Sequence, residues 1–127
     1  MVCFSSEFFG KSVHAHSQQK GVDAIRMAVQ AYTALEMMVA REIPADTPVI
    51  YNGGAFNAGV TNNIVCDYAK LFLTTRTWSD ETTALMERRT REICEATAAM
   101  CGFQIVNIPS APNGCVDIEA LKAVLGE

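Results

Sequence analysis

The hydrophobic positions of this chain follow two different periods, which predict an alternation of strands and helices. Spacings of three and four residues mark two amphipathic helices, one running from Asp23 to Pro44 and one starting at Ser79 and ending near Gly102. Short alternating or continuous apolar segments predict strands at 2–9, 49–56, 63–77 and 103–108. The predicted order is β-α-β-β-α-β, followed by a short amphipathic helix at 117–125.

The same periods predict which side chains are buried. In the first helix the expected apolar stripe is Ile25, Val29, Tyr32, Leu35 and Val39, and in the second it is Leu85, Met86, Ile93, Ala96 and Met100. Along the third strand, one face is expected to carry Val65, Ala69, Leu71 and Leu73, and the other Tyr68, Lys70 and Thr74, with Phe72 as an exception.

Strands and helices in this order, with both helices on one face, form a ferredoxin-like two-layer sandwich. We therefore predict an α+β fold in which a four-stranded antiparallel sheet is covered by two helices. Residues 1–108 are expected to form the domain, and 109–127 a C-terminal tail that carries the short helix.

The length and net charge of the chain limit the kinds of fold and partner that it can have. The chain has 127 residues and a net charge of −4, so it is expected to be one domain that buries a core without disulfides or metal and does not bind nucleic acid. The one basic cluster, at 88–91, is interleaved with glutamates. Glu87 and Arg91, and Arg91 and Glu95, are four residues apart, which predicts a solvated and self-paired helix face.

The five cysteines are odd in number and form no C-x-x-C pair. In a sequence without a signal peptide, this favours reduced thiols and a cytoplasmic protein. No apolar segment approaches the roughly 20 residues that a membrane span requires, so no membrane partner is expected.

Three polar residues of different chemistry are candidates for a binding site: the imidazole of His14, the carboxamide of Asn63 and the guanidinium of Arg76. Together they suit a carboxylate and a polarised carbonyl, but they do not suit unaided bond cleavage. Other interpretations stay open. His14 and His16 could be half of a metal site, although no acidic or thiolate complement accompanies them. Asn63 could simply end a turn, and Arg76 could pair with Asp80 or Glu81.

Four segments taken together resemble the lid, or dimerisation, domain of the M20 metallopeptidase and amidohydrolase family. They are 9–15 (FGKSVHA), 21–24 (GVDA), 57–67 (NAGVTNNIVCD) and 75–77 (TRT), and the likeness covers about residues 4–102. It is strongest to amidohydrolases that remove acyl groups from amino acids, whose lid has the β-α-β-β-α-β sandwich.

The resemblance implies a role for each candidate residue. His14 matches the lid histidine that reaches the partner subunit's active site and polarises the scissile carbonyl. Asn63 matches an asparagine of the same contribution in trans, and Arg76 an arginine that binds the substrate carboxylate. In a continuous strand, Asn63 and Arg76 would be about 40 Å apart. Both could reach one small substrate only if two protomers of a homodimer share each site.

The family's two-metal centre has no counterpart here, because its histidine and aspartate ligands and its Glu-Glu pair are missing, and we assign no metal ligands to this chain. The resemblance implies two zinc-like divalent metals in a separate catalytic domain that acts on a small carboxylate-bearing amide. We expect the isolated chain not to hydrolyse amides. The alternative is a stand-alone, non-catalytic dimerisation or interaction module. Residues from about 98 to 127 resemble a segment of the glycine decarboxylase P-protein, without that family's cofactor lysine.

Overall fold

Three antiparallel strands form the sheet in the computed structural model, which describes residues 2–101 together with 119, 122 and 123. The elements are β1 (Val2–Phe9), α1 (Ala24–Glu42), β2 (Val49–Ala58), β3 (Tyr68–Thr77) and α2 (Asp80–Met100), with a 3₁₀ turn at Ala15–Lys20. The strand order is β1-β3-β2, and this α+β arrangement agrees with the predicted ferredoxin-like sandwich. The predicted fourth strand, at 103–108, lies outside the described residues, as does most of the predicted C-terminal helix.

Strand β3 is central, and its alternation is as predicted. Ala69, Leu71 and Leu73 are buried under the helices, whereas Tyr68 and Phe72 are exposed on the opposite face. Thr75 continues the buried face and is 1% exposed. The predicted start of this strand at Asn63 is wrong, because regular pairing begins only at Tyr68.

Helix α1 buries a face different from the predicted one. Asp23 caps it by accepting hydrogen bonds from the N–H groups of Ile25 and Arg26. Of the predicted stripe, Leu35 is buried, but Ile25 and Val29 are 38% and 48% exposed. The buried residues are Ala24, Met27, Ala28, Ala31, Leu35 and Met38. Small alanines let the helix axis approach the sheet, so the larger β-branched residues lie on the flank.

The buried face of helix α2 also differs in part from the predicted one. Ser79 caps it, since its Oγ accepts the N–H of Thr82 at 3.1 Å. Met86 is fully buried as predicted, but Ala96 is exposed and Met100 is 80% exposed. Two threonines, Thr90 and Thr97, are buried instead. The sequence pattern missed this face because threonine is neither consistently polar nor apolar.

An ion cluster joins the two helices. The Arg89 guanidinium donates to both carboxylate oxygens of Glu42, with Nε to Oε2 and Nη2 to Oε1 each at 2.7 Å, and also to Glu92. The predicted pairs of Arg91 with Glu87 and Glu95 are not among the ion pairs that the described residues form. The bidentate contact links the C-terminal end of α1 to the middle of α2.

The loop between β1 and α1 is closed by backbone contacts. The N–H of Gly10 donates to the carbonyl of Asp67 at 2.7 Å, and Lys11 and Val22 exchange two hydrogen bonds. A Cβ on Gly10 would lie 2.1 Å from the Val22 carbonyl oxygen, a backbone atom that cannot rotate away. A glycine is therefore required here by close approach. No helix in the described ranges is long and apolar enough to cross a membrane.

The Arg89–Glu42 contact predicts a pH-dependent contribution to stability. The hydrogen-bonded guanidinium lowers the pKa of the Glu42 carboxyl below its usual range. A lowered folded-state pKa stabilises the protein above the unfolded-state value, about 4.3, and this contribution is lost as the pH falls through the folded value. We expect Arg89→Gln to lower the Tm by a few degrees at pH 7 and to have little effect near pH 3. Arg91→Gln is the matched control, and an equal Tm loss at both pH values would contradict the assignment.

The close approach at Gly10 predicts that Gly10→Ala destabilises the fold. We expect the free energy of unfolding to fall by about 1–3 kcal/mol, because a backbone shift is needed to admit the methyl group. The matched control is Gly54→Ala, where the nearest atom to the new Cβ is the Asn52 side-chain nitrogen at 3.5 Å. That variant should stay within about 0.5 kcal/mol of the parent. Urea unfolding of both proteins measures the difference, and equal stabilities would refute this interpretation of the loop.

Candidate functional site

The backbone segments that carry His14 and Asn63 adjoin each other, because the pairing of β1 with β3 continues beyond the two strands. His14 forms an isolated antiparallel bridge with Ile64, and the N–H of Ala15 donates to the carbonyl of Asn63 at 2.9 Å. Relative to the Phe9–Tyr68 pair, this pairing is shifted by one residue. An extra residue in one chain produces such a shift and re-aims the side chains that follow it. Two of the three predicted site residues are therefore held on adjoining backbone segments.

The His14 side chain is exposed, and its ring faces that of His16. The two Nδ1 atoms are 2.7 Å apart, and His14 Nδ1 also accepts the backbone N–H of His16 at 3.4 Å. In the tautomer in which Nδ1 accepts these contacts, the ring of His14 carries its proton on Nε2. This leaves Nε2–H as a hydrogen-bond donor that can act on a ligand.

The Asn63 carboxamide is oriented by a neighbouring hydroxyl. Thr61 Oγ1 donates to Asn63 Oδ1 at 3.1 Å, which engages the amide oxygen. Within the described part of the chain the amide nitrogen makes no side-chain hydrogen bond, so it can donate to a ligand. His14 and Asn63 thus each carry a neutral hydrogen-bond donor, on adjoining segments of the backbone.

Arg76 lies at the opposite end of β3, where it is paired in register with Ile50 of β2. Its side chain is exposed, and no described carboxylate lies within salt-bridge distance, so the alternative pairing with Asp80 or Glu81 does not form. Eight residues of strand separate it from Tyr68, which is about 26 Å. The fold therefore brings His14 and Asn63 together and keeps Arg76 away from both.

An open cavity of about 390 Å³ lies under the 57–68 segment. Its lining includes Ser12, Thr61 and Asp67, but neither His14 nor Asn63. Ser12 Oγ donates to the Val65 carbonyl at 3.0 Å and so helps to fix this wall. The cavity borders the site without containing the predicted residues.

A polar contact lies on the exposed face of the sheet nearby. The Tyr68 hydroxyl donates to Glu7 Oε1 at 2.8 Å, and Lys70 Nζ is 3.4 Å from the same oxygen. The hydrogen bond to the Glu7 carboxylate raises the pKa of Tyr68. Tyr68 is therefore a neutral hydroxyl that crosslinks β1 to β3 at the start of the site.

Sequence reasoning underestimated two residues. His16 contacts His14, and Thr61 orients Asn63, but the sequence indicates His16 only as half of an alternative metal site and assigns Thr61 no role. The H-x-H spacing was the available signal for His16, whereas nothing in the local sequence distinguishes Thr61 from an ordinary turn residue. No group of three or more histidine, cysteine, aspartate or glutamate side chains that could hold a metal occurs among the described residues.

Comparisons with known proteins match residues 1–99 to the peptidase dimerisation domain of the M20 family. An N-acetyldiaminopimelate deacetylase of Streptococcus thermophilus is 31% identical over 120 residues, which are 94% of this chain and 32% of that protein. A hippurate hydrolase of Campylobacter jejuni is 32% identical over 102 residues, 80% of this chain and 27% of that protein.

Solved structures with a similar fold include other peptidases. An aminopeptidase from Bacillus cereus superposes with a TM-score of 0.66 at 29% identity, covering 79% of this chain and 26% of that one. A tripeptidase from Staphylococcus aureus superposes with a TM-score of 0.67 at 27% identity, covering 78% and 25%. The chain thus spans about a third or less of each protein that it matches. By this agreement of sequence and structure, the chain belongs to the M20 family and corresponds to its dimerisation domain.

Proposed function

We propose that this chain is the lid of an M20-type metal-dependent amidohydrolase and provides substrate-binding groups across a homodimer. The observation that carries the proposal is the separation of its polar residues, with His14 and Asn63 held together at one end of the sheet and Arg76 about 26 Å of strand away. One protomer's histidine and asparagine would act on a substrate together with the arginine of its partner.

The pair at the first end suits transition-state stabilisation. The Nε2–H of His14 and the amide nitrogen of Asn63 are neutral donors on a backbone fixed by the bond from Ala15 to Asn63. Donors that are already oriented stabilise an oxyanion without reorganisation during the reaction. In this role the two residues polarise the scissile carbonyl, and water activation takes place elsewhere.

Arg76 at the second end suits the substrate carboxylate. Its guanidinium is exposed and has no carboxylate partner among residues 2–101, so it can form a bidentate contact with a ligand. The names of two relatives, a deacetylase of N-acetyldiaminopimelate and a hydrolase of hippurate, are those of enzymes that cleave an amide of an acylated amino acid. A small amide that carries a carboxylate is the substrate class that these groups favour.

The hydrolytic chemistry belongs to a second domain. The relatives are about three times as long as the matched segment, and the family centre of two zinc-like metals would lie in that additional part. Metal-bound water is a nucleophile at neutral pH, which the polar groups of this chain cannot generate.

The dimer contact is best supported at the β2 edge. Among residues 2–101, β2 pairs with no strand other than β3, and its outer side is flanked by partly exposed apolar residues, among them Ile50 (50%), Phe56 (40%) and Val29 of α1 (48%). Between α1 and β2 lies an apolar groove of about 340 Å³, which includes Tyr32. Two copies that meet here could extend the sheet and bury about 1,600 Å².

The carboxylate role of Arg76 predicts a selective loss of activity. In an enzyme reconstituted by replacing the lid of an M20 relative with this chain, Arg76→Ala should lower kcat/KM about 10- to 100-fold, since a hydrogen-bonded charge contributes about 1.5–3 kcal/mol. The Tm should not change. Arg91→Ala, another exposed arginine, is the matched control. Full activity of Arg76→Ala would refute the assignment and favour the stand-alone interaction module.

The dimer contact predicts that a charge at Val29 weakens association. We expect Val29→Lys to raise the dimer dissociation constant by at least about tenfold, because twofold symmetry buries the unpaired ammonium twice. Ala84→Lys adds the same charge to an exposed position of α2 and should have no effect. Analytical ultracentrifugation measures both. A monomeric parent chain, or equal dissociation constants for the parent and Val29→Lys, would contradict this interface.

A further inference from the structure

The two histidines of the chain face each other with their Nδ1 atoms 2.7 Å apart, and both side chains are exposed. We propose that His14 and His16 form a bidentate chelating site for a divalent ion of the Cu²⁺ or Ni²⁺ type. The site shares His14 with the proposed lid function but does not require that function, and it uses only residues of this chain. The H-x-H spacing alone is a weak signal for a metal site, whereas the fold brings the two rings into contact.

The type of ligand selects the class of metal. The 2.7 Å contact between the two Nδ1 atoms is a hydrogen bond, and it shows that the two rings reach one another. Metal–imidazole bonds are about 2.0–2.1 Å long, so nitrogens of two rings in contact can share one ion once the rings have turned. Tetragonal geometry with nitrogen ligands is typical of Cu²⁺ and Ni²⁺, and these ions also bind such ligands more tightly than most other divalent metals.

The backbone that carries the two rings is held in place. Val65 N–H donates to the Val13 carbonyl at 2.8 Å, and Ser17 N–H donates to the His14 carbonyl at 2.8 Å. These bonds fix the chain immediately before and after the pair, so little backbone ordering is required on binding. Only rotation of two exposed rings is needed to aim both lone pairs at one ion.

Metal binding by the neutral pair of histidines requires a proton shift within one ring but no release of a proton. In the free pair, one Nδ1–H donates a hydrogen bond to the other Nδ1; the contact from the His16 backbone N–H favours the tautomer in which His14 Nδ1 accepts. Ligation needs both Nδ1 lone pairs, so the His16 proton moves to Nε2 and no proton is lost. Because the site is exposed, water can fill the remaining coordination positions of the ion.

The test is Ni²⁺ titration of the purified 127-residue chain, followed by calorimetry and by the imidazole resonances in NMR spectra. Because the chain contains only two histidines, every imidazole signal belongs to the pair. We expect Ni²⁺ to broaden both histidines together. His14→Ala and His16→Ala should each lower the affinity for Ni²⁺. Loss of a residue that only contacts a ligand lowers metal affinity by roughly 10- to 100-fold, and loss of either ligand should cost more than that.

Gln18→Ala, in the same exposed turn, is the matched control and should bind Ni²⁺ like the parent chain. Loss of binding in both histidine variants, with the control unaffected, would establish chelation. Three results would overturn the proposal: no binding at millimolar Ni²⁺, parent affinity in either histidine variant, or binding that depends only on thiols. None of these readouts involves amide hydrolysis, so failure here would leave the lid function untouched.

Discussion

The antiparallel pairing of β1 with β3, and its continuation into the adjoining loops, is the constraint on which the rest of the molecule depends. β3 supplies the buried residues that both helices cover, and its pairing partner leads directly into the loop that carries His14. The hydrogen bond from Gly10 to Asp67 extends the ladder by one pair, and the bond from Ala15 to Asn63 completes it after a shift of one residue. The geometry of the site is therefore an extension of the sheet.

Much of the architecture was predictable because the dominant signals are local. Alternation along 68–77 identified the buried face of β3 correctly, since every second residue of a strand faces the same side. The helix bounds followed from Asp23, Ser79 and Pro44, whose effects act within one turn. The buried faces of the helices were less predictable. Burial of Ala28 and Thr90 in place of Val29 and Ala96 depends on how closely each helix approaches the sheet, which no single-helix pattern contains.

The candidate site, too, was predictable only in part. The chemistry of His14, Asn63 and Arg76 could be named from the sequence and its family resemblance, but their relative placement could not. The alternation along 63–77 predicts that Asn63 lies in a strand ladder, whereas it lies in an irregular segment before β3. Its proximity to His14 arises from a register shift between segments fifty residues apart in sequence, which has no local signature. The orienting contact from Thr61 depends on the same turn.

Chelation and carbonyl polarisation use different atoms of His14. Its Nδ1 is turned towards His16, and in the tautomer in which Nδ1 accepts, the ring donates through Nε2–H. A metal at Nδ1 leaves that same Nε2–H in place and withdraws electron density from the ring, which makes it a stronger donor. A bound ion could therefore interfere with a substrate only through steric or electrostatic effects near the loop. A carboxylate-bearing substrate would even be attracted by the added positive charge, and salt would weaken this attraction. The pair of histidines thus places a metal-responsive group beside the proposed oxyanion donors without removing either donor from its role.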